Sequence, residues 1–473
     1  MLTPPLRLQP SAASLAAGFA RIRAELGIPD GFPAAAEAEA EAAAAPAAMH
    51  ADRRDLALVT IDPPGARDLD QALSIAAREE GGFRVHYAIA DVAALVAPGG
   101  PVDAEARERG LTIYMPDRRT PLHPPAIGED RGSLLPGVDR PALLWTIDLD
   151  GSGSVLSATV IRAIVRSRRA LSYAEAQAGI DSGAGDATLL LLREVGGLRI
   201  AAEAARGGVS LNVPVQEVVR EGDGYALRYE GTLPVEGWNA QISLLTGVCA
   251  ADIMARGGIG IFRTLEPAEP ADLASLRRSA ATLGVDWPEG VSYPEVVRRL
   301  DPVRPADAAF AVRATRLFRG AGYAVWRAAD GDAPPVHAAI ASGYAHVTAP
   351  LRRLADRFAG EIAVALCAGD APPAWVLEGL AGIPGAMASA AGRERQAGRA
   401  AVDYVESAIL AGRVGETFTG TVIDVREGRA TVQLAHPAVV APLDADGAAA
   451  GETMVVRLSE ADPAERRVRF SRA

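Results

Sequence analysis

The chain contains no lysine: all 48 of its basic residues are arginine, and 59 acidic residues outnumber them for a net charge of −11. That balance argues against a protein that coats nucleic acid with a basic surface, but it leaves room for an internal channel lined by arginine. Cysteine is nearly missing. With only Cys249 and Cys367, a disulfide scaffold and a cysteine-rich zinc module are both excluded. Aromatic residues make up 5% of the chain, so a core must be built mainly from Ala, Val and Leu. No apolar run approaches the ~20 residues of a membrane span. The opening MLTPPLRLQPSAASLAAGFARIRAELG lacks a basic segment followed by a continuous apolar stretch, the mark of a secretory leader. The resulting expectation is a cytoplasmic protein with no membrane partner. What is plentiful is hydrophobic residue, 49% of 473 positions, which excludes disorder of the whole chain. The length suggests roughly two to four domains.

The texture changes twice along the chain. In residues 1–50, Leu15, Phe19, Ile22 and Leu26 fall at helical spacing, and Gly27 and Pro29 end the helix they predict. The Ala/Glu stretch over 34–48 reads equally well as an exposed helix or as a linker. From Leu56 onward, LALVTID, ALSIA and FRVHYAIADV read as strands, with a hairpin turn at Gly81-Gly82. LLWTIDLD and SVLSATVIRAIV are two more, joined through Gly151–Gly153. Helices are expected over 188–206, 241–255, 306–319 and 351–368, the last with apolar residues every fourth position and Pro350 just ahead of it. Residues 51–411 thus read as one large mixed α/β unit. Five short strands in 412–473 suggest a small closed barrel. The fold class is α+β.

The chemistry concentrates in TIDPPGARDLDQAL, residues 60–73, which holds Asp62, Asp68 and Asp70 within nine positions. Asp62 ends a strand, and Pro63-Pro64-Gly65 turns the chain. In extended backbone Asp68 and Asp70 point to one side, and the loop can bring Asp62 back to them. Three converging carboxylates repel one another unless a cation sits among them, and hard divalent ions such as Mg²⁺ or Mn²⁺ prefer oxygen ligands. Aspartates are also common in solvated turns, so spacing alone leaves both readings open.

The same segment resembles the metal-binding signature of the ribonuclease II (RNB) family of exoribonucleases. RVHYAIADVAALVAPGGPVDAEARERGLTIYMPDRRTPLHPP (84–125), SLLPGVDRPAL (133–143) and GYAHVTAPLRRLADRF (343–358) resemble later family blocks in the same order. GETFTGTVIDV onward resembles the family's C-terminal OB-fold RNA-binding domain. The resemblance covers residues 52–473. It implies an RNB-type catalytic domain over 51–411, an OB-fold over 412–473 and an atypically short helical N-terminus over 1–50.

The implied activity is processive, hydrolytic 3′-to-5′ degradation of single-stranded RNA to nucleoside 5′-monophosphates by a two-metal-ion mechanism, in a monomer that needs Mg²⁺, or Mn²⁺ in its place, and no organic cofactor. Asp62, Asp68 and Asp70 would hold the metals, with Asp70 closest to the chemical step. Gln71 stands where the family has a fourth aspartate. Its carbonyl can ligate a metal but brings no negative charge, so weaker metal binding is expected. Arg352 matches the arginine that meets the scissile phosphate, with Arg353 and Thr348 beside it as RNA contacts. Tyr114 matches an aromatic that stacks on RNA, whereas Leu211 stands where a second aromatic is usual. Gln71 and Leu211 also motivate the alternative of an RNA-binding protein with a degenerate site.

Overall fold

The computed structural model describes residues 12–44, 50–210, 215–221, 224–230, 232–301, 304–426, 429–444 and 447–473. Leu211 lies outside them. The chain opens with α1 (Ala12–Glu25) and α2 (Ala34–Ala42). Strands β1 (Ala51–Asp52), β2 (Leu58–Asp62), β3 (Gln71–Ala77) and β4 (Phe83–Ala90) follow, then α3 (Pro101–Arg109). The short pair β5 (Ile113–Tyr114) and β6 (Arg119–Thr120) precedes the long hairpin β7 (Asp139–Leu149) and β8 (Val155–Ser172). Next come α4 (Tyr173–Asp181), α5 (Ala187–Ala205), the ribbon β9 (Val215–Glu221) and β10 (Gly224–Glu230), α6 (Pro234–Gly257) and β11 (Ile259–Thr264). Helices α7 (Pro270–Leu283), α8 (Tyr293–Arg298) and α9 (Pro305–Ala314) lead to β12 (Gly322–Arg327). After α10 (Leu354–Ala368), α11 (Ala374–Gly379) and α12 (Ile383–Leu410) come β13 (Thr417–Arg426), β14 (Arg429–Leu434), β15 (Val439–Asp444), β16 (Thr453–Asp462) and β17 (Arg467–Arg472).

The central sheet runs β1-β8-β2-β3-β4-β7, and β7 also pairs with β8. Strand β8 makes this possible by its length. Its first part pairs antiparallel with β7 and its last part, Ser167–Ser172, pairs parallel with β2. The β3–β4 turn uses Gly81 and Gly82, both at positive φ. A Cβ on Gly82 would meet the Leu149 carbonyl oxygen at 2.1 Å, so only glycine fits there. Trp145, Tyr87 and Phe358 are fully buried where this sheet meets α6 and α10. The last five strands close into a barrel in the order β13-β14-β15-β17-β16, as the spacing of short strands suggests.

The helix expected in the N-terminal segment is α1, and it packs into the body of the protein. Leu15, Phe19 and Ile22 of α1 share one core with Tyr404 of α12 and with barrel residues such as Val422 and Phe470. Gly18 makes the approach possible, because a Cβ there would sit 2.0 Å from the Tyr404 ring. Of the Ala/Glu stretch, 45–48 lie outside the described residues, and 34–42 form helix α2, exposed except along one face. Ala36 and Ala40, one turn apart, are fully buried against Val92, Val102, Ile127 and Leu351. Alanine suits a helix that must come close to its support; Glu37 and Glu41 are exposed, whereas Glu39 accepts from the Val102 N–H at the start of α3 at 2.9 Å. Phe19→Ala should destabilise the protein by about 3–5 kcal/mol, the usual cost of emptying a phenylalanine site. Urea denaturation checks this; a shift under about 1 kcal/mol would show that α1 adds little to the shared core.

Candidate active site

The aspartate loop joins the end of β2 to the start of β3, two neighbouring strands of the sheet. It is pinned from within. Ser133, fully buried, donates its hydroxyl to the Arg67 carbonyl at 2.6 Å and accepts from the Leu69 N–H at 3.0 Å. The Leu134 N–H donates to the Leu69 carbonyl and the Ala90 N–H to the Asp70 carbonyl. The SLLPG block therefore fixes the loop that carries the acids.

Asp62 is the last residue of β2, and its Oδ2 is buried with no hydrogen-bond partner among the described residues. Burial pushes its carboxyl up to about 6; Arg352 opposes the rise and Asp68 adds to it. Asp70 is only 3% exposed. Its Oδ1 accepts from the Leu351 N–H at 2.8 Å, and its Oδ2 lies 3.3 Å from Arg352 Nε. Burial pushes it up to about 8, against the pull of Arg352 and the Leu351 N–H. Asp68 is turned toward other partners, accepting from the Tyr114 hydroxyl at 2.8 Å and from Arg119. Arg119 also holds Glu129 at 2.7 Å. Gln71 donates its amide to the Thr348 carbonyl.

Asp62, Asp70 and Arg352 are thus brought into one electrostatic group, with Asp68 and Gln71 at its edge. Among the described residues, no three acidic, histidine or cysteine side chains converge closely enough to cage an ion as they stand. Asp70 lies against Arg352, and Asp68 against Arg119. The donor set itself, all oxygen, suits a hard divalent ion, and the orphaned Asp62 oxygen marks where it would bind.

The arginine pair divides its work. The helix expected from 351 begins at Leu354, and Arg352 and Arg353 sit on the turn before it, both N–H groups donating to the Ala349 carbonyl. Arg352 remains 44% exposed at its side chain. Arg353 instead grips Asp356 through Nε and Nη2, at 2.9 and 2.8 Å. Asp356 in turn accepts from the Ala349 N–H at 2.7 Å, so Arg353 braces the turn that presents Arg352. Thr348 is buried, and its carbonyl serves Gln71. Arg353 and Thr348, both expected as RNA contacts, thus also brace the turn and the aspartate loop from within. His346 is packed, its Nδ1 2.6 Å from the Tyr323 hydroxyl, and burial holds its pKa well below the usual value. Tyr114 is 48% exposed.

Two residues escaped the sequence reading. Arg119 lies in the same TIYMPDRR stretch as Tyr114 but carries no distinguishing mark. Tyr173 does have a signal. SYAE is a capping box, with Ser172 and Glu175 exchanging hydrogen bonds at the start of α4. Since Ser172 pairs with Asp62 across β2–β8, the next residue, Tyr173, is set beside that carboxylate. Tyr173 also lines a cavity of about 720 Å³ with Glu203, Glu236 and Gln241. There Gln241 and Ser210 both donate to the buried Glu203, the latter at 2.7 Å.

Comparison with known proteins gives this arrangement a place. Residues 50–363 match the RNB domain, and residues 416–473 match the RNase II-type exonuclease C-terminal S1 domain. The DIS3-like exonuclease 2 of Arabidopsis thaliana is 46% identical over 132 residues, 28% of this chain and 12% of that protein. Ribonuclease R of Escherichia coli (strain K12) is 28% identical over 323 residues, 65% of this chain and 39% of that protein. The chain thus spans well under half the length of either relative. The structure of Mycoplasma genitalium RNase R in complex with ribose methylated single-stranded RNA superposes with a TM-score of 0.87 at 19% identity, over 96% of this chain and 77% of that one. Among the described residues, no helix is long and apolar enough to cross a membrane. With more than half of its length matching the RNB domain, the chain belongs to the RNB domain family and carries that family's C-terminal S1 barrel.

Proposed function

We propose that the chain is a metal-dependent exoribonuclease that shortens single-stranded RNA processively from its 3′ end and releases nucleoside 5′-monophosphates. The observation that carries this reading is the orphaned, buried Asp62 oxygen beside the Asp70–Arg352 pair on a loop pinned by Ser133. Asp62, Asp68 and Asp70, with the Gln71 carbonyl, would hold Mg²⁺, or Mn²⁺ in its place. Such ions, when bound, supply an activated water and charge stabilisation at the leaving 3′ oxygen. Arg352 keeps its fork exposed to take two phosphoryl oxygens as negative charge grows on them. Tyr114 offers a ring on which any base can stack, at ~1–3 kcal/mol per base. We further propose a monomer acting in the cytoplasm, a compartment that suits two unpaired cysteines.

A second reading, an RNA-binding protein with a degenerate site, draws on Gln71 and on the capture of Asp68 by Arg119. One experiment separates the two. The protein is incubated with 5′-labelled single-stranded RNA or DNA, in Mg²⁺, Mn²⁺ or EDTA. A ladder shortening from the 3′ end, on RNA alone and absent in EDTA, supports hydrolysis. Retention of RNA without shortening supports the second reading.

The site also predicts a trade at Gln71. Gln71→Asp adds a charged ligand and should lower the half-saturating Mg²⁺ concentration by ~10-fold, the scale on which changes around a metal move its affinity. It also deletes the donor to the Thr348 carbonyl, so the melting temperature in EDTA should fall. An unchanged metal titration would remove Gln71 from the ligand set.

A further inference from the structure

We propose that Arg263, together with the exposed fork of Arg352, forms a subsite for a phosphate group in the cavity between α12 and the β11–β12 ribbon. The idea rests on the hydrolytic reading above for the origin of that phosphate, the 5′-phosphate of a released nucleotide. The cavity holds about 220 Å³ and is lined by Tyr114, Arg263, Tyr323, His346, Arg352 and Glu394 among others. Arg352 and Tyr114 connect it directly to the carboxylate group around Asp70 and Asp68.

Charge is the main argument. Arginines packed near the site each have an acid: Arg353 has Asp356, Arg119 has Asp68 and Glu129, Arg357 has Asp103, and Arg162 has Asp91 and Glu361. Arg263 differs. Its Nη1 donates to the Gly322 carbonyl at 3.1 Å, and its guanidinium lies 4.8 Å from the centre of the Tyr323 ring. Among the described residues no carboxylate lies within ion-pair distance of it, and the cations Arg353 and Arg395 and the hydroxyls of Tyr323 and Tyr344 act on it. Burial pulls its pKa below the usual value, so the protein bears a desolvation cost here that a bound anion would offset. The ring beneath it is locked, because the Tyr323 hydroxyl is hydrogen-bonded to His346.

Opposing charge in the cavity is small. Arg353 is neutralised by Asp356, and Glu394 is the one carboxylate lining the wall. Glu394 is exposed, and Arg395, Arg352 and Arg353 lie close enough to act on it. Volume sets the ligand. Pockets for whole small molecules run about 300–1,000 Å³. This one admits a phosphate head and leaves the nucleoside outside, toward Tyr114. Two guanidinium forks can then share its oxygens.

The test measures binding directly, on the full chain in EDTA, so it does not depend on hydrolysis. Inorganic phosphate, AMP and adenosine are titrated by calorimetry. Phosphate and AMP should bind and adenosine should not; the tighter of the two shows whether free anion or nucleotide is the better ligand. Arg263→Gln should weaken both by about tenfold or more, as expected for loss of a charge-assisted contact. Ala391→Asp, which places a carboxylate on the cavity wall without touching Arg263, should do the same. It decides the matter if Arg263→Gln fails to fold. Absence of phosphate binding, equal binding in the folded variants, or adenosine binding as tightly as AMP overturns the subsite. Loss of hydrolysis with phosphate binding intact would instead count against the nuclease reading alone.

Discussion

Asp70→Asn should reduce 3′-shortening of single-stranded RNA by ~10³-fold or more, the scale on which removal of a charged group at the reacting centre acts. The fold should survive. Asn Oδ1 can still accept from the Leu351 N–H, which is the bond that ties the aspartate loop to the Ala349–Arg353 turn. The substitution also removes a carboxyl that burial has pushed up to about 8. Ionising that carboxyl in the metal-free protein costs stability as pH climbs from the ordinary carboxylate range toward 8, because the unfolded chain releases its proton first. Asn does not titrate. In EDTA at pH 8 the melting temperature of the variant should therefore equal or exceed that of the wild type. Lost activity with a lower melting temperature would indicate a structural role for Asp70 instead.

Arg352→Met should lower the single-turnover rate by ~10²–10³-fold, the cost of deleting one preorganised group aimed at developing charge. RNA affinity should change much less, since Tyr114 and the S1 barrel remain. Arg352→Lys should recover part of the rate, because it restores a point charge but not the fork. The contrast with Arg353 is a check on the assignment. Arg353→Met removes a bidentate partner from the buried Asp356, so it should act mainly on stability and on the shape of the turn. Equal kinetic losses at both arginines, with both variants stably folded, would show that the two share the phosphate.

The sequence carries Asp62, Asp68 and Asp70 within nine residues, so a strand end, a Pro-Pro-Gly turn and the run into a second strand put them on one loop; which partner each carboxylate meets depends on Arg352, Tyr114 and Arg119 from elsewhere in the chain. The barrel was legible for a similar reason, since each of its strands is short and bounded by turn residues. What stayed hidden depends on contacts distant in sequence. Helix α2 reads as low complexity because its buried face is alanine, and only the surfaces of Val92, Ile127 and Leu351 make that face a core. The roles of Arg352 and Arg353 look alike in the sequence. They diverge because a turn, rather than a helix start, aims one at Asp70 and the other at Asp356. Tyr173 was visible as part of a capping box, but its place beside Asp62 follows from the parallel pairing of β2 with β8, which no local pattern encodes.

The central claim is that these carboxylates share a cation. Mn²⁺ titration followed by electron paramagnetic resonance measures it without substrate. Wild-type protein at pH 8 should bind Mn²⁺ and quench the free-ion signal, with affinity lost in Asp70→Asn and strongly reduced in Asp62→Asn. Failure of the wild type to bind Mn²⁺, or equal binding by all three proteins, would contradict the account.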